Sequence, residues 1–474
     1  MSRLRQPAAV APVVVRTPPM PEPTLPSGTV AIPRTGDSVA ARSASAPDIL
    51  VVVPHLGAGG TQRVVSLLLN HWHAAGLRIA LLTLFPNPDA YGLDPGIHRE
   101  DFALAAPSAE GGRGLRQANY RLDAALQRLG SDRTPWRARL GAAALQGFRT
   151  LRGVIVNGIA AVSPGAIERI IAGSRQVVWL RGRIQALRPR VILSFLGATN
   201  VQTVLAARGL KVPVLISERN DPAVQRLDQP WETLRSRIYR EADRVTANSA
   251  GALETLSRHV PREKLRQVHN PLAVPPCPTG TARHGRRLVL VARLVEQKGV
   301  DILIDAFARV ADRLPDWRLD LVGDGPLRER LEAQARRAGI AERVSFHGHQ
   351  ADPFPFLYAA SVFVLPSRFE GMPNAMLEAM GVGLAIIVSD ASPGPLELIR
   401  HGETGLVFPT GDAGALADAI LRLCGDSALR ERFAAAAEAR AADVALPRVA
   451  RDWEVLMREA GAPVTVGLDG RSDA

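Results

Sequence analysis

One pattern runs through this chain twice: a short apolar run, a glycine-bearing loop, an amphipathic stretch, then another short apolar run. The first pass opens at Asp48-Ile-Leu-Val-Val-Val-Pro54, meets the loop Gly57-Ala-Gly-Gly60-Thr-Gln-Arg63, and continues as a helical pattern over 64–75 and an apolar run over 78–85. Runs of this length with no polar alternation read as strands buried on both faces, the signature of parallel sheets. Further strands are predicted over 191–195, 212–217, 241–248 and 265–269, with a helix over 200–208. A Pro-rich linker at 276–286 then interrupts the pattern, and it restarts. Strands over 287–292, 317–322, 344–346, 362–366 and 385–388 alternate with helices over 299–313, 326–339 and 352–360 and a helix around Glu378. The expected fold class is therefore α/β, with two Rossmann-like doubly wound domains, 48–275 and 287–446, facing each other across a cleft. The first loop reads G-x-G-G rather than G-x-G-x-x-G, and no acidic residue ends the next strand, which speaks against a dinucleotide dehydrogenase.

At 474 residues the chain has room for two such domains. Residues 1–47, rich in Pro, Ala, Ser and Thr, read as a disordered tail, and 463–474 as a second tail. The net charge of +12 comes almost wholly from arginine, because the chain has only three lysines, Lys211, Lys264 and Lys298. Such a balance suits an anionic partner. Aromatics make up 5% of residues, too few for a base-stacking platform, so nucleic acid is not expected. Two cysteines without metal or redox spacing, and no apolar window near the length of a membrane span, point to the cytoplasm. Residues 109–183 form an Arg-dense insertion with interspersed apolar residues (Trp136, Leu140, Leu145, Phe148, Leu151, Ile155, Trp179), ending in Arg181 and Arg183. It reads either as an ordinary amphipathic helix pair or as a face for peripheral contact with an anionic membrane.

The chemistry concentrates in Arg368-Phe-Glu370-Gly-Met-Pro-Asn-Ala-Met-Leu-Glu378. Pro373 fits a helix start, where its missing N–H costs nothing. Backbone N–H groups at that start, with the helix dipole behind them, can face an anion. Glu370 falls in the loop before the helix and Glu378 inside it, so both can reach one ligand: carboxylates for hydroxyls, a positive helix end for a diphosphate. In Val-Ala-Arg293-Leu-Val-Glu-Gln-Lys298-Gly299, two cations flank a loop at a carboxyl strand end and can clamp a departing diphosphate. Gly59 and Gly60 let the N-terminal backbone approach a phosphate or sugar across the cleft. Ser217-Glu218-Arg219-Asn220-Asp221-Pro222 ends another strand with Glu218 or Asp221 available to orient an acceptor hydroxyl and Arg219 or Asn220 to bind an anion. Asp324 reads as part of a turn. His347 and His349, with no carboxylate partner in view, read as packed or solvated.

With these segments in order, the chain resembles the retaining, nucleotide-sugar-dependent glycosyltransferases of family 4, which have the two-Rossmann GT-B fold. The resemblance covers roughly 48–460 and is carried by 291–299, Leu-Val-Gly-Asp-Gly-Pro at 321–326, Val-Ser-Phe-His-Gly at 344–348, 368–381, and His-Gly-Glu-Thr-Gly-Leu-Val-Phe at 401–408. It implies that Arg293 and Lys298 hold the donor diphosphate, Glu378 the ribose hydroxyls, and Glu370 the transferred sugar. Backbone of Gly371, Met372, Pro373 and Asn374 would contact sugar and phosphates, and the base would lie near Phe346 and Gly348. Gly59 and Gly60 match the family's mobile glycine loop, and a last helix over 447–462 would cross back onto the first domain. Where many members place a histidine at an N-domain strand end, this chain has Ser217-Glu218-Arg219-Asn220, as in a subgroup associated with polysaccharide and lipid-linked oligosaccharide assembly. The implied activity is retaining transfer of a hexose or N-acetylhexosamine from a UDP-sugar to a glycan or polyprenyl-linked acceptor at the cytoplasmic membrane face. No metal or other cofactor is expected, since Arg293 and Lys298 supply the positive charge. The alternatives are a nucleotide-sugar epimerase of the same fold and a catalytically silent nucleotide-sugar-binding protein.

Overall fold

The computed structural model describes residues 46–85, 87–102, 163–279, 285–462 and 464. The expected tail at 1–47 lies almost wholly outside them, as do 109–162 of the insertion, part of the linker and most of 463–474.

In the first domain the strands are β1 (Ile49–Val53), β2 (Ile79–Thr83), β3 (His98–Asp101), β4 (Val191–Phe195), β5 (Val214–Glu218), β6 (Arg244–Ala247) and β7 (Leu265–Gln267). They form one all-parallel sheet in the order β3-β2-β1-β4-β5-β6-β7. The second domain contains β8 (Arg287–Val291), β9 (Arg318–Val322), β10 (Val344–Gly348), β11 (Val362–Leu365), β12 (Ala385–Ser389) and β13 (Leu406–Phe408). These are parallel in the order β10-β9-β8-β11-β12-β13. Every residue of β1, β2, β4, β11 and β12 is buried, as strands covered by helices on both faces must be. The strand predicted over 241–248 is shorter: Tyr239–Glu241 forms a 3-10 turn and pairing begins at Arg244.

The described end of the insertion consists of helices Pro164–Ala172 and Arg175–Leu187. Ile167, Val177, Leu180 and Ile184 bury one face in the domain core. Arg181 donates to the carbonyls of Ala206 (2.9 Å) and Arg208 (2.7 Å), and Arg183 pairs with Glu100. These two arginines tie the helix to its own domain and are not free to face lipid. Among the described residues no helix is long and apolar enough to cross a membrane.

The chain passes between the domains twice. Leu272 donates to Val444 O and accepts from Leu446 N, both at 2.8 Å, so the two crossings run side by side. Helix Leu446–Glu459 then lies on the first domain, with Trp453 against Phe195 (ring centroids 5.6 Å apart) and Trp72 donating to Glu454 at 3.2 Å.

Candidate active site

In doubly wound sheets, ligands enter where strand order reverses, outside the carboxyl ends of the strands. Here those points lie between β1 and β4 in the first domain and between β8 and β11 in the second. The loops after β8 and β11 are the ones that carry Arg293, Lys298 and Glu370.

After β8 the chain turns through the 3-10 segment Glu296–Lys298 and reaches Gly299 at φ 61°. A Cβ on Gly299 would stand 2.0 Å from Pro366 O, so only glycine lets this loop lie against the end of β11. The approach brings Lys298 Nζ to 2.6 Å from Glu370 Oε1, and Ser367 Oγ donates to the same oxygen at 2.6 Å. Ser392 Oγ accepts from the Glu370 N–H at 2.9 Å. Arg368 grips Asp301 with both arms of its guanidinium, at 3.0 and 2.8 Å, which pins the loop before Glu370. Arg293 differs from Lys298: its side chain is exposed and has no partner among the described residues.

Pro373 caps helix Asn374–Val382, and Glu378 sits in that helix with its side chain buried. Its carboxylate meets Arg63 Nε of the first domain at 2.6 Å. Burial pushes the Glu378 carboxyl up to about 7; Arg63 pulls it down and Asp352 adds to the rise, and burial outweighs the attraction. Tyr91, beside the Gly59 backbone, completes this corner, its phenol pushed up by burial.

Across the cleft, Gly59 caps helix Gly60–Ala74 in an extended conformation, and Gly60 O accepts from Asn374 Nδ2 at 2.9 Å. Arg219 is buried and, among the described residues, has no carboxylate bonded to it. It donates to Asn270 Oδ1 and to Ser217 Oγ (3.3 Å), and its Nε has no partner. Burial lowers its guanidinium to about 9, with Glu218 opposing, so it stays charged at neutral pH. Asn270 passes this contact on, donating to Met372 O (2.8 Å) and to Asn374 Oδ1. Gly371 packs against Arg219 O, where a Cβ would come within 2.9 Å.

Glu218, the last residue of β5, is buried; Tyr239 donates to its carboxylate at 2.9 Å, Arg235 lies 3.8 Å away, and burial raises its carboxyl. Asp221 accepts from Ala223 N (2.9 Å) and Thr255 Oγ1 (3.3 Å), as a turn cap does. Asn220 is half-buried, and its amide has no bond among the described residues. In β10 the carbonyls of Phe346 and Gly348 are already engaged, by Arg328 (3.2 Å) and by Gly323 N (2.8 Å). His347 does have a carboxylate partner: its Nε2 lies 2.8 Å from buried Asp320, and its ring packs on Phe356. Asp324 closes a turn onto Gly325 N (2.7 Å), while His349 is exposed. Among the described residues, no three His, Cys, Asp or Glu side chains cluster as metal ligands would.

Arg63, Tyr91, Asn270, Ser367 and Ser392 were not singled out from sequence. Arg63 carried a usable signal, lying four residues past Gly59 in the first turn of the helix that the glycine loop opens. Asn270 stood in view as well, three residues after β7.

Two parallel doubly wound sheets, with cations and carboxylates gathered where their carboxyl ends meet, define a GT-B glycosyl-transfer architecture. Residues 285–426 match the family model of glycosyl transferases group 1, and residues 59–271 match the glycosyl transferase 4-like domain. The chain belongs to the GT-B glycosyltransferases. It is 36% identical over 202 residues to the lipopolysaccharide core biosynthesis glycosyltransferase LpsE of Rhizobium meliloti, a match covering 41% of this chain and 58% of that one. It is 27% identical over 300 residues, 62% of this chain and 81% of the other, to a Campylobacter jejuni enzyme. That enzyme is the GalNAc-alpha-(1->4)-GalNAc-alpha-(1->3)-diNAcBac-PP-undecaprenol alpha-1,4-N-acetyl-D-galactosaminyltransferase. The chain spans between 19% and 58% of the length of five curated relatives, LpsE among them. The fold matches that of Anabaena Alr3699/HepE in complex with UDP, with a TM-score of 0.62, 17% identity, and coverage of 87% of this chain and 100% of that one.

Proposed function

We propose that this protein transfers a hexose or N-acetylhexosamine, with retention, from a UDP-sugar to a glycan or polyprenyl-linked acceptor in cell-surface polysaccharide or glycolipid assembly. The observation that carries the reading is the Lys298–Glu370 contact, with exposed Arg293 at the same strand end and Glu378 in the adjoining helix. In this reading Arg293 and Lys298 take the diphosphate, Glu378 the ribose and Glu370 the sugar. The leaving phosphate accepts the acceptor's proton while the two cations stabilise it. Arg219, through Asn270, holds the Met372–Asn374 turn against the donor. Because Glu218 is committed to Tyr239, it has no part as a base in this scheme. The uridine donor is supported by the UDP complex of the Anabaena neighbour, and the lipid-linked acceptor by the name of the Campylobacter relative.

The test is a donor screen of the purified protein against the common nucleotide-sugars, following nucleoside diphosphate release and thermal shift. The expected result is release with one UDP-sugar, stimulated by membrane extract and insensitive to chelator. A thermal shift without turnover would favour the silent binding protein, and no shift with any nucleotide-sugar would sink the reading.

We also propose peripheral contact with the cytoplasmic membrane face through the arginines of the insertion. Arg181 and Arg183 are held by the protein, so the test turns to the other arginines between 133 and 169. Changing Arg133, Arg137, Arg139, Arg149 and Arg152 to Gln is expected to release the protein from anionic vesicles in flotation. Removing five charges worth about 1 kcal/mol each leaves little to hold it. Unchanged flotation would make the segment ordinary packing.

A further inference from the structure

The side chains read as holding the donor, Arg293, Lys298, Glu370 and Glu378, all belong to the second domain, yet one contact to Glu378 comes from the first. Arg63 Nε lies 2.6 Å from Glu378 Oε1, and the two side chains are only 19% and 8% exposed. The guanidinium is held by more than this bond. It lies over the Tyr91 ring of its own domain, 5.8 Å from the centroid, and over Phe354 of the other, at 5.6 Å. A second bond crosses the same seam, from Asn374 Nδ2 to Gly60 O at 2.9 Å. Asn374 and Gly60 open the helices that carry Glu378 and Arg63, so the two helix starts meet and the ion pair forms about one turn further along each. Arg63 reaches one carboxylate oxygen; among the described residues Oε2 has no bond. A carboxylate has about four lone-pair sites on its two oxygens, so this contact and donating ribose hydroxyls are compatible. Burial favours the protonated carboxyl, whose O–H would face those hydroxyls as a donor; Arg63 opposes that protonation and Asp352 adds to it. Tyr91, also beside Glu378, is neutral, its phenol pushed up by burial.

We propose that Arg63 is a positioning residue for the donor: from the first domain it holds Glu378 by one oxygen and so presents the other to the ribose hydroxyls of a nucleoside diphosphate. This role rests on the reading of Glu378 as the ribose acceptor. It makes donor affinity depend on the first domain, through the helix that the Gly59–Gly60 loop opens. It also makes that affinity depend on pH, because only the ionised carboxylate accepts with both oxygens. A binding-competent form that is a fraction of the population raises the apparent Kd by the inverse of that fraction.

Calorimetric titration of the full-length protein with UDP, at about pH 7 and about pH 9, tests this by comparing the wild type with Arg63→Met and Arg63→Lys. Loss of a neighbouring cation raises a carboxyl by about one unit or more. Starting from about 7, that leaves about a tenth of Glu378 ionised at neutral pH where about half was before. Arg63→Met is therefore expected to bind UDP about fivefold more weakly at neutral pH, the gap narrowing to about twofold or less at the higher pH. Arg63→Lys, which keeps the charge, recovers most of the loss. The ionisations of UDP itself are common to every titration and drop out of the ratio. Tyr91→Leu removes one ring under the guanidinium and weakens binding at neutral pH by less; it carries the test if Arg63→Met melts early. Wild-type affinity at neutral pH in the folded variants overturns the proposal. So does a deficit of the same size at both pH values, which is what lost packing alone would give. Glu378→Gln separates this failure from that of the ribose reading. If it binds UDP as the wild type does, the ribose reading falls and Arg63 has nothing to position; if it weakens binding while Arg63→Met does not, only the positioning falls.

Discussion

Lys298→Ala lowers turnover by about two to three orders of magnitude, the usual cost of removing one preorganised donor of positive charge from a developing anion. The far-UV circular dichroism spectrum stays that of the wild type. Lys298 is placed for this role by Gly299, whose left-handed turn seats the loop against Pro366 O. The ammonium rests on Glu370. In the reading proposed above, one cation would serve both the diphosphate and the sugar-side carboxylate. The fold survives the substitution because Glu370 keeps two other partners, Ser367 Oγ on its carboxylate and Ser392 Oγ on its N–H. Single-turnover kinetics with saturating donor reads the effect on the chemical step. Turnover within a few-fold of wild type would remove Lys298 from the site.

Glu378→Gln is expected to weaken UDP binding by at least about tenfold, since a hydrogen bond to a charged group contributes roughly 1.5–3 kcal/mol and the amide offers one acceptor where the carboxylate offers two. The same substitution changes how stability depends on pH. Burial holds the Glu378 carboxyl at about 7, above its unfolded value; the charges facing it are Arg63, which lowers it, and Asp352, which raises it. A raised folded-state value favours the protonated form. Its stabilising contribution is therefore fully present below the unfolded carboxyl range and is lost as pH climbs through about 7. Between about pH 5 and pH 8 the wild type should lose on the order of 2 kcal/mol relative to the Gln variant, which cannot titrate. Urea denaturation of both proteins at several pH values measures this difference. Parallel stability curves would show that Glu378 ionises in the folded protein as it does in the unfolded chain.

The two-sheet architecture was legible because its strands announce themselves: Ile49–Val53 and Ala385–Ser389 are apolar throughout, and only parallel strands buried on both faces need to be. β3 was missed for the converse reason, since His98–Asp101 is a polar edge strand with nothing apolar to mark it. That Lys298 and Glu370 stand at neighbouring strand ends was legible from composition and spacing, through a rare lysine and a proline-led helix start. The pairing of Arg63 with Glu378 was not, because periodicity describes one helix at a time and these side chains meet only when two domains face each other. Glu218 and Arg219 show a related limit. Sequence alone does not say which partners buried side chains at a strand end find. Arg219 meets Ser217 and Asn270, and the Glu218 carboxylate meets Tyr239.

The paired crossings at Leu272 and Ala445 bear on how the halves of the molecule can move. Two chain segments bonded to each other at one point act as a double-leaf hinge: both must flex together, and neither can slide past the other without breaking the bonds at Leu272. That favours rotation about a shared axis and opposes shear. Because helix Leu446–Glu459 is clamped to the first domain by Trp453, one leaf is anchored rigidly beyond the pivot. The cleft is thus built to swing like a book on its spine, and its travel is set by the few residues of that spine.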